Sequence, residues 1–135
     1  MTMQQYKKAA RKGDSHAQYY LGDCFYHGTN IPRDVTQAFL WYTKAAEQEN
    51  SNAQYSLGVC YMNGTGVSKD FIQAAHWFQR AAINGNQRAQ LNLGVCYMTG
   101  SGVEKDVNKA FEWFSKAADE EALKKLLDIG VYDLN

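Results

Sequence analysis

The chain has 135 residues, with 14 Lys and Arg against 14 Asp and Glu, so its formal charge is zero. That length makes one folding unit, and without a block of like charge there is no basic footprint for nucleic acid. The opening Met1-Thr2-Met3-Gln4-Gln5-Tyr6-Lys7-Lys8 has no apolar stretch behind a basic start, and no run approaches the ~20 apolar residues of a membrane span, so we expect a cytoplasmic address unless a leader has been removed.

In chain order, residues 3–12 predict a short helix. Its Tyr6, Lys8, Ala9 and Ala10 stand 36 residues before Tyr42, Lys44, Ala45 and Ala46, so it reads as the second helix of a repeat standing alone. Asp14, suited to capping, precedes an expected helix over 15–27 that carries Ala17, Gln18, Leu21, Gly22 and Cys24. After a turn at Gly28, a second helix over 35–48 follows Asp34, with Gln37 three residues on in the manner of a capping box. The pattern then returns. Asn50 opens a helix over 51–63, Gly64-Thr65-Gly66-Val67 ends it, and Asp70 with Gln73 opens another over 71–84. Asn86 opens 87–99, Gly100-Ser101-Gly102-Val103 ends it, and a helix over 107–119 follows. The last expected helix, near 119–129, is degenerate: Leu127, Ile129 and Gly130 keep the frame of Leu91, Leu93 and Gly94, but Lys124, Lys125 and Asp128 intervene.

A recurrence of 36 residues means a stacked array of small units whose natural function is binding along an extended surface. Ala53, Leu57, Gly58 and Tyr61 share one helix face, and Ala74, Trp77, Phe78, Ala81 and Ala82 make an apolar stripe on the next helix. A helical glycine costs about 1 kcal/mol against alanine, so Gly22, Gly58 and Gly94 predict that the second helix of each pair crosses there at close range. Cys24, Cys60 and Cys96 hold one repeat position on helices expected to lie roughly 8–10 Å apart, too far for disulfides; we read them as small buried hydrophobes with no metal. Gln18, Gln54 and Gln90, on the core side, are expected to bond nearby backbone.

The second and third units match A-x-x-x-L-G-x-x-Y-x-x-G-x-G-V followed by D-x-x-x-A-x-x-W-Y/F-x-K-A-A, with Arg80 in place of one Lys. The first departs at Phe25, Asn30 and Ile31. This pattern resembles the Sel-one-like repeat (SLR) family, α/α relatives of the tetratricopeptide repeat. The resemblance implies an all-α, right-handed α/α superhelical solenoid of about three repeats with a half-repeat helix at the N-terminus and a degenerate capping helix at the C-terminus. The divisions fall at 1–14, 15–50, 51–86, 87–121 and 122–135. It also implies an adaptor or scaffold, a role common in bacteria. Some disulfide-rich relatives are linked to penicillin binding or hydrolysis, but their paired cysteines are missing here, where Ala46, Ala82 and Ala118 hold the corresponding positions on the second helix of each pair.

Catalytic patterns are not found. The loop Gly64-Thr65-Gly66-Val67-Ser68-Lys69 lacks the spacing and the Gly-Lys-Ser/Thr ending of a phosphate cradle. There is no G-x-S-x-G or S-x-x-K; Ser56 is the least implausible nucleophile. Asp23 and His27, four apart with His16 on the same stripe, fit a solvated polar face better than a metal site. We therefore expect a non-enzyme without cofactor or metal.

What the repeat leaves unexplained lies on the opposite side of the first helix of each pair. There stand Tyr19, Asp23 and Tyr26, then Tyr55, Val59 and Met62, then Leu91, Val95 and Met98, with His16, His27, Asn52, Asn63 and Arg88 as a polar rim. In related solenoids this side lines the concave surface, and a contiguous apolar patch marks an interaction site; close packing of neighbouring helices could instead bury part of it. The expected partner is a peptide or helix of another protein, not nucleic acid or a membrane. The alternative is an inhibitor or immunity protein that masks a toxin or enzyme through convex or end surfaces. Self-association through the same stripe stays open.

Overall fold

Seven helices follow one another in the computed structural model, which describes the backbone of residues 1–128 and the side chains of residues 1–119; no strand occurs among the described residues. They are α1 (Met3–Arg11), α2 (Ser15–His27), α3 (Val35–Glu47), α4 (Ser51–Asn63), α5 (Phe71–Ile83), α6 (Gln87–Thr99) and α7 (Val107–Asp128). Each packs chiefly on its neighbours in sequence, most extensively as the pairs α2–α3, α4–α5 and α6–α7. That nearest-neighbour order is the solenoid that the repeat period implied. We call α2, α4 and α6 the inner helices and α3, α5 and α7 the outer ones.

The turns inside the pairs are copies of one another. Gly28, Gly64 and Gly100 end the inner helices at φ 72, 70 and 71°. The amides of Asp34, Asp70 and Asp106 donate to the carbonyls of Phe25, Tyr61 and Tyr97, each at 2.9 Å. The first turn keeps this form although Asn30 replaces a glycine, because Asn30 takes φ 60°, a region asparagine tolerates. Inner helices are capped as expected: Asp14, Asn50 and Asn86 accept from the amides of Ala17, Ala53 and Ala89 at 2.9, 3.0 and 2.9 Å. At Asp34 and Asp70 the aspartate accepts from Gln37 and Gln73, while the reciprocal capping box forms at Thr2 and Gln5.

Within a pair, the glycine of the inner helix lies under an aromatic ring of the outer one. A Cβ on Gly22 would meet Tyr42 Cδ1 at 2.7 Å, and one on Gly58 or Gly94 would meet Phe78 or Phe114 Cε1 at 2.6 Å. Close crossing is thus the reason for each of these helical glycines. Tryptophans join successive units. Trp41 packs on Ala10, Ala17 and Leu21, Trp77 lies in the cluster of Tyr42, Ala46 and Leu57, and Trp113 packs on the cluster of Phe78, Ala82 and Leu93. Lys44, Arg80 and Lys116, three residues on, each set a cationic head over the ring, at 4.6, 4.7 and 5.4 Å. Cys24, Cys60 and Cys96 are free and buried, and burial pushes the Cys60 thiol up to about 11.

The buried glutamines bind backbone, as expected. Gln18, Gln54 and Gln90 donate from Nε2 to the carbonyls of Ala10, Ala46 and Ala82 at 3.0, 3.1 and 3.2 Å. Each of these carbonyls, at the end of the preceding helix, also accepts from a junction amide, that of Gly13, Glu49 or Gly85, so the glutamine adds a second bond that ties the next helix to that end. Around Gln54, Glu49 gathers a polar knot. Its carboxylate accepts from Gln54 at 2.6 Å, Asn84 at 2.9 Å and Arg80 at 2.5 Å. Glu49 adopts φ 63° where Gly13 and Gly85 stand in the flanking junctions, a strained choice that the knot offsets.

The Arg80 guanidinium first, then Gln54 and Asn84, hold the Glu49 carboxyl down at about 2. A folded value below the ordinary 4.5 means stability that is full above pH 4.5 and lost as pH falls through about 2. Urea unfolding at pH 6 and pH 3 should show a larger acid loss for the wild type than for Glu49→Gln. Identical losses would mean that the knot contributes no net stability. The effect is modest because the Glu49 side chain is 59% exposed and screened by solvent.

The C-terminal boundary differs from the expectation. The third outer helix and the cap expected near 119–129 run on as one helix, Val107–Asp128. The other junctions carry Gly13-Asp14, Glu49-Asn50 and Gly85-Asn86, each with a left-handed residue and a capping side chain, whereas Glu121-Ala122 stands at this one. Alanine cannot cap, and no glycine reverses the chain, so nothing stops the helix. The framed residues Ile129 and Gly130, and the rest of the proposed cap to residue 135, lie outside the described residues.

Candidate functional site

The inner helices and the starts of their successors enclose a concavity of about 720 Å³. Tyr19, Asp23, Tyr26 and His27 of α2 form one wall, and Asn52, Tyr55, Ser56 and Val59 of α4 face them, with Ser51 beside them. Gly85 to Arg88, at the start of α6, close one end, and Tyr42 of α3 lies at the back. Residues spaced by three and four on α2 reach the same opening because they share a helix face.

The apolar members are partly engaged. Tyr19 and Tyr26 are half-buried against the cluster around Tyr42, and Tyr55, Val59 and Met62 against that around Phe78. Packing between neighbouring units thus covers part of the stripe in the first two units. On α6 the corresponding Leu91 and Val95 are 43 and 51% exposed, and Met98 is half-buried. Of the rim, His27, Asn52 and Arg88 line the concavity, with Asn86 donating to Asn52 at 3.2 Å. Met62, Leu91, Val95, Met98, His16 and Asn63 do not line it.

A further polar pair joins α2 to α3. The Tyr42 hydroxyl donates to Asp23 Oδ1 at 2.5 Å. Burial first, and then this bond to the carboxylate, push the Tyr42 phenol far above its ordinary value; burial and the Asp23 charge raise that of Tyr19 as well. Tyr42 is not announced by the repeat, because its counterpart Phe78 belongs to the apolar stripe of α5; the signal that marks it is its hydroxyl, absent from Phe78 and Phe114. The outer helices carry exposed apolar residues that the repeat pattern does not single out, Leu40, Phe71, Ile72, Ile83 and Phe111, Ile72 by 70% and Phe111 by 58%.

Ser56 and His27 both line the concavity, but no hydrogen bond joins them among the described residues. No group of three or more His, Cys, Asp or Glu positioned to hold a metal occurs among those residues. No helix among them is long and apolar enough to cross a membrane.

The Sel1 repeat family model matches residues 6–14, 15–50, 51–86 and 87–121. No curated protein matches the sequence. Among solved structures, a protective antigen of uropathogenic Escherichia coli with an SLR fold is 42% identical with a TM-score of 0.85; the match covers 89% of this chain and 26% of the antigen. A Sel1 repeat protein from Oxalobacter formigenes is 37% identical, TM-score 0.83, over 87% of this chain and 49% of that one. Cysteine rich protein B of Helicobacter pylori is 28% identical, TM-score 0.68, over 88% of this chain and 90% of that one. The chain thus spans about a quarter and about half of the first two.

Proposed function

Because this chain belongs to the Sel1 repeat family, whose repeats generally serve as protein–protein interaction scaffolds, we propose that it is a non-catalytic cytoplasmic adaptor that takes a peptide or helix of another protein along its inner helices. The supporting observation is the concavity walled by Tyr19, Tyr26, Tyr55 and Val59 and continued by exposed Leu91 and Val95 on α6. Tyrosines give large contact area at low entropic cost. Polar residues at the rim, His16, His27, Asn52, Asn63 and Arg88, steer the encounter more than they hold the complex.

A second reading draws on the exposed Ile72, Ile83 and Phe111: an inhibitor or immunity protein that masks its target with the outer helices. Hydroxyl-radical footprinting of the protein with a captured partner separates the two. The adaptor reading expects protection at Tyr19, Tyr26 and Tyr55 and none at Phe71 or Ile72. Protection confined to the outer helices supports the inhibitor instead.

A further inference from the structure

The first unit departs from its own repeat at two positions that touch. Asp23 stands where Val59 and Val95 stand, and Tyr42 where Phe78 and Phe114 stand. The Tyr42 hydroxyl, which Phe78 and Phe114 lack, donates to the one carboxylate gained on the inner helix, at 2.5 Å. An acid in a half-buried apolar setting is costly unless hydrogen-bonded. Here the bond fixes its direction, and Tyr19, Tyr26 and Tyr55 line the same opening, the Tyr26 ring already carrying the Arg33 guanidinium at 5.8 Å. A carboxylate lining an opening with tyrosine rings is complementary to a cation. We propose that this pocket receives a lysine or arginine side chain of the partner segment, its head against Asp23 and between the tyrosine rings.

The inference rests on the adaptor reading and names the chemistry its groove selects. The charge of Asp23 is felt within the pocket, since it disfavours ionisation of Tyr19. No ion pair joins Asp23 to a cation among the described residues, where the pair found is Arg80 with Glu49. The concavity, about 720 Å³, lies in the range of sites that enclose a ligand group. Arg88, the basic residue of the same opening, is exposed at its edge; its charge reaches Tyr19 more weakly than that of Asp23 and opposes it, so it sets the side from which a cationic head does not enter.

The test is panning of a random twelve-residue phage-displayed peptide library on the wild type and on Asp23→Asn, which keeps an acceptor for Tyr42. The wild type should enrich peptides with one Lys or Arg at a constant place in the consensus. A synthetic consensus peptide should bind Asp23→Asn about tenfold more weakly, the loss expected for one desolvated cation contact. Its Lys→norleucine analogue should bind both proteins alike. If Asp23→Asn does not fold, the Lys and norleucine peptides compared on the wild type decide the matter. A consensus without a basic residue, an acidic consensus directed to Arg88, or equal affinity of the Lys and norleucine peptides overturns the cation pocket and leaves the groove standing. Failure to enrich any peptide on either protein overturns both.

Discussion

Gly66→Ala is expected to destabilise the protein by about 2–4 kcal/mol, while Gly64→Ala, two residues earlier, costs about 1 kcal/mol. Both glycines have the same backbone conformation, φ 73 and 70°, so each substitution carries the same left-handed penalty. Their surroundings differ. A Cβ on Gly64 meets Lys69 Cβ at 3.4 Å, an ordinary contact with a surface side chain. A Cβ on Gly66 would overlap the carbonyl oxygen of Val35, at the start of the previous outer helix. Backbone cannot swing aside as a side chain does, so the two repeats must separate or one turn must distort. Gly102 makes the same approach to Phe71 and should follow Gly66, with Gly100 following Gly64. Urea unfolding of the four variants measures the difference, and equal costs within each pair would mean that the second glycine of the turn does not join the repeats.

Phe78→Ala should be as damaging, at about 3–5 kcal/mol, the usual range for emptying a buried aromatic site. The ring is buried over Gly58, 5.9 Å from the ring of Tyr55, and shares a cluster with Ala89 and Leu93 of the next inner helix. Loss of one side chain therefore loosens a pair and a junction between pairs. A double-mutant cycle with Gly58→Ala isolates the close crossing. In the wild type the added methyl meets the ring at 2.6 Å and is destabilising. Without the ring it should turn favourable, by up to the ~1 kcal/mol that alanine gains over glycine in a helix. Additive effects at the two positions would contradict the packing described here.

Most of this architecture is legible in the residues because each junction is written locally. Asp14, Asn50 and Asn86 cap, glycines reverse the chain, and Gly22, Gly58 and Gly94 report a crossing helix without any three-dimensional information. Reading failed where punctuation is missing, at Glu121-Ala122, since a degenerate frame suggested a break that no residue enforces. The candidate site was legible only in part. Helical spacing puts Tyr19, Asp23, Tyr26, Tyr55 and Val59 on one side, but curvature decides which of them line a concavity and which, like Met62, pack away from it. The partnership of Asp23 with Tyr42 spans two helices, so no local pattern announces it. The exposed apolar residues of the outer helices are obscured for another reason: Ile72 shares the outward face of α5 with exposed His76, Gln79 and Ile83, and Phe111 stands where the earlier units carry half-buried Phe39 and buried Ala75, so its exposure depends on what a neighbouring unit covers.

The adaptor account is tested most directly by the dissociation constant of a captured partner segment for two variants with exposed, equally drastic substitutions. Val95→Glu places a charge on the inner face of α6, where the side chain is 51% exposed; Ile72→Glu places one on the outer face of α5, at 70% exposure. Neither removes a buried group, so both should fold, as circular dichroism will verify. The account predicts that Val95→Glu weakens binding by about tenfold or more while Ile72→Glu leaves it within about twofold. Unchanged affinity for Val95→Glu together with a loss for Ile72→Glu would contradict it and move the binding surface to the outer helices.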